Sequence, residues 1–373
     1  MKILVVMGTR PEAIKLAPVV AALRRRKGLK TIVCATAQHR ELLDQALRIF
    51  KLKPDFDLDL MRRGQSPDAL AKRVFAALDP LLARLKPDMV LVQGDTTTAA
   101  AAALSACKRG IPVAHVEAGL RSFDFNNPFP EELNRVAIDL VSSLVFPPTP
   151  AARANILRER LGGRLVIMTG NTVVDALRWT KRRAARSRIS SRPGSKEVLV
   201  TLHRREIHGP PLRKIYTALL TLVRKHENLV LLYPVHPNPK ILKISKRMLI
   251  HPRIRLLPAQ PYLEMLGLMK RASFVITDSG GLQEEAVCLG KPVLIVRNKT
   301  ERPEVITSGA GRLVGLDPEK LIRWTGKLLN DAALHRRMSR VRNPYGDGRA
   351  SQRVAAGVAH WFKLAPKPKD WKP

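Results

Sequence analysis

A chain of 373 residues, 45% of them hydrophobic, is too long for one typical core and implies two domains. Its 66 Lys and Arg against 31 Asp and Glu give a formal net charge of +35. That field attracts polyanions and anionic substrates, but aromatics are only 5% of the residues and no RNA- or DNA-binding motif is visible, which argues against specific nucleic-acid recognition and for salt-sensitive adhesion only.

The first apolar segment, Lys2–Met7, is too short for the core of a signal peptide, and Gly8-Thr9-Arg10-Pro11-Glu12 interrupts it. It reads as a strand, followed by strands at Lys30–Ala35, Met89–Gln93, Val113–Glu117, Leu144–Phe146 and Leu165–Met168. Helices are expected between them, at Pro11–Arg26, Arg40–Phe50, Pro67–Leu85, Thr97–Arg109 and Glu131–Val141. Pro11 suits a first helical turn, where its missing N–H is not needed. Continuous Val, Ile and Leu strands alternating with helices mean a parallel sheet covered on both faces. The segment from Arg178 to Lys196 is basic, carries no acid and contains Pro193-Gly194, as an interdomain linker would.

The scheme then repeats, with strands at Glu197–Leu202, Leu229–Pro234, Ile254–Leu256, Ser273–Ile276, Pro292–Val296 and Gly311–Val314. The fold class is therefore α/β, with two doubly wound, Rossmann-like domains facing across a cleft. The expected division is 1–170 and 171–351. A helix at about 352–363 is expected to return to the first domain, and a Pro- and Lys-rich tail, 364–373, is expected to be disordered. Cys34, Cys107 and Cys288 build neither a disulfide framework nor a metal spacing and point to a reducing cytoplasm. No apolar run approaches the ~20 residues of a membrane span.

Ligands of open α/β sheets bind at the C-terminal ends of the strands. In the first half the polar residues there are Gly8 to Glu12 with Lys15, then Gln38-His39-Arg40, Gly94-Asp95-Thr96, and Glu117 to Arg121, followed by Pro130-Glu131-Glu132. In the second they are His203-Arg204-Arg205-Glu206, His236 between Pro234 and Pro237, Gln260, Thr277 to Glu285, and Glu301 to Glu304. The most informative of these is Thr277-Asp278-Ser279-Gly280-Gly281-Leu282-Gln283-Glu284-Glu285. An apolar strand, a Ser-Gly-Gly turn and a helix form a diphosphate cradle, because glycine admits the anion and the first helical turn offers free N–H groups. Glu285, one turn in, can accept hydrogen bonds from a ribose. The segment reads as a nucleoside-diphosphate site, with an unliganded α/β turn as the competing reading. Asp95 could instead cap the helix after it, and Glu131 could merely favour a helix N-terminus. Lys15 could be a salt-bridge lysine, and His236 a turn histidine or part of a regulatory site.

The motifs GTRPEAIKLAP, TAQHRELLDQ, QGDTTT, HVEAGLRS, PEELNR, TGNTVVDAL, HRRE, YPVHPNP, TDSGGLQEEA, GKPVL, TERPE and NPYGDG run through nearly the whole chain in order. Together they resemble the non-hydrolysing UDP-N-acetylglucosamine 2-epimerases, which share the two-domain architecture of one class of glycosyltransferases. The resemblance implies interconversion of UDP-N-acetylglucosamine and UDP-N-acetylmannosamine by elimination of UDP to 2-acetamidoglucal and re-addition. It implies no cofactor and no metal; consistently, no GxGxxG follows the first strand and no His/Cys cluster is present. It also implies a homodimer acting on a UDP-sugar, with a role in cell-envelope polysaccharide biosynthesis.

Carried over position by position, Asp95, Glu117 and Glu131 become the catalytic carboxylates, and His203 assists UDP departure. Arg10, Lys15, Gln260, Met265, Ser279, Gly280, Gly281, Glu285 and Arg302 bind UDP or substrate. Gln38, His39, Arg40, Arg204 and His236 match an allosteric site of some bacterial relatives. Three positions depart from the pattern. Leu202 stands where Gly is common, Phe123 where a small residue is usual, and Met265 where an aromatic often packs on the uracil. The sequence leaves open a 2-epimerase of a modified UDP-sugar, such as a diacetamido-glucuronate, and a glycosyltransferase of the same fold.

Overall fold

The computed structural model describes residues 1–373 except 39, 63, 161, 182 and 184–193. It divides into two compact units, Met1–Arg178 with Tyr345–Pro373, and Trp179–Pro344. His39 and most of the expected linker lie outside the described residues.

In the first unit the order is β1 (Lys2–Met7), α1 (Arg10–Arg24), β2 (Lys30–Ala35), α2 (Arg40–Ile49), β3 (Phe56–Asp57), α3 (Pro67–Leu85), β4 (Met89–Gln93), α4 (Thr97–Lys108), β5 (Val113–Val116), α5 (Glu131–Val141), β6 (Leu144–Phe146), α6 (Pro150–Arg158), β7 (Leu165–Val166) and α7 (Thr172–Thr180). The second continues with β8 (Lys196–Thr201), a short 3-10 turn (Arg205–Ile207), α8 (Pro210–Lys225), β9 (Leu229–Pro234), α9 (Pro239–Met248), β10 (Ile254–Leu257), α10 (Tyr262–Arg271), β11 (Phe274–Thr277), α11 (Gly280–Cys288), β12 (Val293–Ile295), α12 (Glu304–Thr307), β13 (Gly311–Leu313), α13 (Pro318–Asn330) and α14 (Ala332–Ser339). Helix α15 (Ala350–Trp361) then packs on α1 of the first unit.

Among the described residues the first sheet runs β3-β2-β1-β4-β5-β6-β7 and the second β10-β9-β8-β11-β12-β13. All their pairings are parallel; Lys2 lies opposite Lys30 and Phe274 opposite Val198. Each order reverses direction once, between β1 and β4 and between β8 and β11. At such a point the crossover helices leave to opposite faces and open a crevice at the strand ends, where ligands of this architecture bind. The cores follow the alternation of strand and helix. In the second unit Val198, Val200, Leu231, Phe274, Ile276 and Leu294 meet Leu212, Ile215, Leu219 and Leu222 of α8 and Leu321 and Leu328 of α13, all almost fully buried.

The first unit runs past residue 170 because Asp175 of α7 accepts hydrogen bonds from the backbone N–H groups of Ala350 and Ser351, at 3.1 and 3.0 Å, which fastens α7 to the start of α15. The expected disordered tail is instead ordered. Trp371 is 4% exposed, its N–H donates to the carbonyl of Met168 at 2.7 Å, and Asp370 accepts from the N–H of Met168 at 2.9 Å. Composition suggested a solvated tail, but one buried indole and two backbone bonds just beyond β7 hold it.

Candidate functional site

In the first unit the rim is built on two switch-point turns and one helix. The turn after β1 opens α1 with a capping box, Thr9-x-x-Glu12. Glu12 is 1% exposed. It accepts from the N–H groups of Gly8 and Thr9 and from the hydroxyls of Thr9 and Thr96, at 2.7–3.0 Å. Burial raises its pKa above the ordinary carboxylate value, and these donors oppose that shift. Glu12 thereby ties the Arg10 turn to the turn after β4. Arg10 itself is the first residue of α1 and half-buried.

Asp95 does not cap α4. The cap is Thr96, whose hydroxyl accepts from Ala99 N–H, so the helix starts one residue later than an Asp95 cap requires. The Asp95 carboxylate instead receives Arg135 of α5 at 2.5 Å, with the Arg135 side chain 3% exposed. Asn134 of the same helix donates to the Asp95 carbonyl at 2.9 Å.

Glu117 follows β5, is 6% exposed, and has φ of 68°. That left-handed conformation costs a side-chain-bearing residue about 1–2 kcal/mol, and such strain collects where a side chain must be aimed rather than merely packed. Lys15 donates to its Oε2 at 2.5 Å and Gln93 at 3.3 Å. Lys15 is thus a buried partner of the candidate base, 5% exposed, not a surface residue. Two residues on, Gly119 has φ of 81°, and a Cβ there would collide with the carbonyl of Ala152.

Helix α5 begins at Glu131 and carries the rest of the support. Glu132 accepts from the N–H groups of Ser122 and Phe123 at 2.9 Å and lies 3.1 Å from Arg135. Asp139, fully buried, accepts from Gly119 N–H at 3.0 Å, faces His115 Nδ1 at 2.7 Å and Arg121 at 2.7 Å, while His115 Nε2 lies 2.8 Å from the carbonyl of Gly94. Burial alone would raise the pKa of Asp139, but the charges and hydrogen bonds of His115 and Arg121 outweigh it, and the value lies below the ordinary one. A depressed folded-state pKa stabilises above the unfolded value of about 3.9 and loses that contribution as pH falls through the folded value. The melting temperature is expected to drop below about pH 4, and Asp139→Asn to flatten that acid limb while melting earlier at pH 7.

In the second unit His203 follows β8, and the Ser279 turn follows β11, the neighbouring strand across the switch point. Asp278 Oδ2 accepts from the N–H groups of His203 and Arg204, both at 2.7 Å. Leu202 sits in the core with a φ outside the left-handed region, so its side chain is absorbed by packing. Ser279 caps α11 without a side-chain bond to the helix. Under the turn, Arg302 is 6% exposed; it donates to Glu284 at 2.6 Å and also to Glu301, which is held in turn by Arg297 at 2.8 Å. Gly280 leaves room for this ion pair: a Cβ there would overlap the Arg302 guanidinium and force it to shift. Glu285, 7% exposed, stands in α11 close enough to Tyr262 of α10 to raise the tyrosine pKa, although burial is the larger cause. Met265, also on α10, and Gln260, whose amide donates to Pro258 O at 2.7 Å, are half-buried.

Of the residues matched to an allosteric site, Gln38 accepts from the hydroxyl of Thr98 at 3.0 Å. Arg40 pairs with Asp44 at 3.1 Å, with Asp57 and with Asp59 at 3.3 Å. His236 stacks on His203, ring centroids 5.7 Å apart, and Arg204 is half-buried beside it in sequence. Phe123 has φ of 58° and is 70% exposed. Glu12, Asp278, Glu284 and Glu301 stand in the rim segments named from sequence and Gln93 and Arg135 in the family motifs, but none of these, nor Asp139, carries an assigned role there. The Thr9-x-x-Glu12 capping box and the four-residue spacing of Glu131, Arg135 and Asp139 along one helix face were their available signals.

The chain matches the family model described as UDP-N-acetylglucosamine 2-epimerase over residues 21–359. An Escherichia coli UDP-N-acetylglucosamine 2-epimerase is 45% identical over 95% of this chain and 97% of its own length. A solved S. aureus structure described as an MnaA–UDP co-structure has a TM-score of 0.93 at 39% identity, covering 100% of both chains. The Neisseria meningitidis UDP-GlcNAc 2-epimerase, solved bound to UDP-GlcNAc, has a TM-score of 0.91 at 40% identity, covering 97% of this chain and 100% of that one. With two parallel sheets of this order and carboxylates and a Ser-Gly-Gly turn at their switch points, the chain belongs to the UDP-N-acetylglucosamine 2-epimerase family.

Proposed function

We propose that this protein interconverts UDP-N-acetylglucosamine and UDP-N-acetylmannosamine, by elimination and re-addition. A carboxylate removes the proton from carbon 2. The carbon 1–oxygen bond breaks, its electron pair stays on the diphosphate, and a carbon 1–carbon 2 double bond forms. Re-addition delivers a proton to the opposite face of carbon 2 and rejoins the diphosphate oxygen to carbon 1. Two faces need at least two acid/base groups, and Asp95, Glu117 and Glu131 are the candidates. A positioned carboxylate supplies about 10²–10⁴-fold, and stabilisation of the departing diphosphate supplies much of the remainder.

The Ser279–Gly281 helix terminus and His203 take the diphosphate in this reading, Glu285 the ribose, and Gln260 and Met265 the uracil. Arg302 acts from beneath, by holding the turn through Glu284 and Glu301. The observation that carries the proposal is Glu117: a buried carboxylate at a strand end, paired with Lys15 and held in a left-handed backbone, the kind of strain that collects where a side chain must be aimed. Proton NMR of UDP-N-acetylglucosamine with the protein in heavy water tests it. The expected result is a second anomeric signal together with loss of the carbon 2 proton. A second sugar that keeps its original carbon 2 hydrogen would point to another mechanism.

The same reading makes the protein a cytoplasmic homodimer. Cys34, Cys107 and Cys288 form no disulfide, and Cys107 is exposed, as a reducing compartment permits. Helices α4 and α5, which pack together, expose Leu104, Leu133 and Leu140, apolar surface that a second copy would cover. Sedimentation equilibrium should return twice the chain mass, and Leu133→Lys with Leu140→Lys should shift it to the monomer.

A further inference from the structure

Asp278 has no role in the reaction as proposed so far, yet its side chain is 0% exposed at the second unit's switch point. A buried carboxylate persists only with donors around it. Here two are the backbone N–H groups of His203 and Arg204, both 2.7 Å from Oδ2. The remaining oxygen, Oδ1, lies 3.1 Å from Nδ1 of His203, an ion-pair contact without hydrogen-bond alignment in this structure. On its other side the His203 ring lies flat on His236, with 10° between the planes. The ring is therefore fixed by a carboxylate at one nitrogen and a stacking partner on one face, and its Nε2 has no protein partner among the described residues. Asp278 retains its charge in this position. Burial works against the anion, but the facing His203 and the two backbone donors outweigh it and hold the pKa below the ordinary carboxylate value.

We propose that Asp278 is a positioning residue for the epimerisation: its carboxylate faces His203 Nδ1–H, stabilises the ring with both nitrogens protonated, and turns Nε2–H to the leaving diphosphate oxygen. This rests on the reading of His203 as the group that assists UDP departure. Which ring nitrogen of a histidine works is set by what the other one faces. A carboxylate facing Nδ1 holds the ring in orientation and stabilises its doubly protonated form, in which Nε2–H can donate. Asp278 also belongs to the turn that begins the diphosphate cradle, so one side chain sets His203 relative to the Ser279 helix terminus. A carboxylate needed only to tie the β8 and β11 loops together would require the two backbone bonds and nothing at Nδ1.

The test is a double-mutant cycle with Asp278→Asn and His203→Asn. Asparagine keeps the shape and one acceptor but presents its amide to Nδ1. Asp278→Asn should lower kcat by about 10- to 100-fold with KM changed less than about threefold. In the His203→Asn background the same change should cost less than about twofold, because Asp278 acts through the ring. Equal losses in both backgrounds, or native turnover in Asp278→Asn beside an impaired His203→Asn, would overturn the proposal while leaving the role of His203 in place. Native turnover in His203→Asn would overturn both. Nitrogen-15 NMR of the unmodified protein supplies a readout that needs no variant: Nδ1 of His203 should carry a proton, and a ring protonated at Nε2 alone would overturn the assignment.

Discussion

Glu117→Gln is expected to lower turnover by roughly 10²-fold or more while UDP affinity is kept. Glutamine has the size of the native side chain and can still meet Gln93, but it cannot take a proton from carbon 2. It also breaks the buried Lys15–Glu117 ion pair from one side, which costs about 3–5 kcal/mol. The variant should therefore melt earlier as well as turn over slowly. Lys15→Met in the same chain removes the other charge of the pair. The double variant should regain most of the melting temperature and none of the turnover, which separates lost chemistry from lost structure. Near-native turnover in Glu117→Gln, measured by coupled assay, would remove Glu117 from the acid/base assignment.

The second large effect is structural. Arg302→Ala should destabilise the second unit by about 3–5 kcal/mol, because Glu284 and Glu301, each with 1% of its side chain exposed, lose a shared cation. For a unit of this size that corresponds to a melting shift of roughly 6–20 °C. Calorimetry on the variant with and without saturating UDP would check it. UDP should recover part of the shift, since binding to the folded state alone stabilises it. A variant that melts like the native protein but binds UDP weakly would mean that Arg302 serves the ligand directly rather than through the turn.

Much of this architecture was legible from pattern alone. Continuous Val, Ile and Leu segments such as Lys2–Met7 and Leu229–Pro234 are strands, because a sheet covered on both faces has no polar positions to interrupt it. Strand β3 escaped notice because Phe56–Asp57 is two residues long and has no periodicity to read. Asp95 and Thr96 are both good capping types, so only geometry could choose Thr96 and release Asp95 for Arg135. The family motifs located the rim residues, but not what stands behind them. Arg302 reads as a ligand-binding cation in sequence, whereas its position under Gly280 depends on two glutamates brought to it by the fold. The tail was misjudged for a related reason: Pro and Lys dominate its composition, while a single indole decides its position.

Helix α5 functions as a ruler. Glu131, Arg135 and Asp139 recur every four residues, and the helix delivers a candidate acid/base group, the partner of Asp95 and the anchor of the Glu117–Gly119 turn on three successive turns. One inserted or deleted residue in its first two turns would swing every later side chain by about 100° and uncouple all three at once. Length variation among natural or engineered versions of this chain should therefore gather in the Ser122–Pro130 loop and stop at Glu131, where the spacing of the rim begins to be counted.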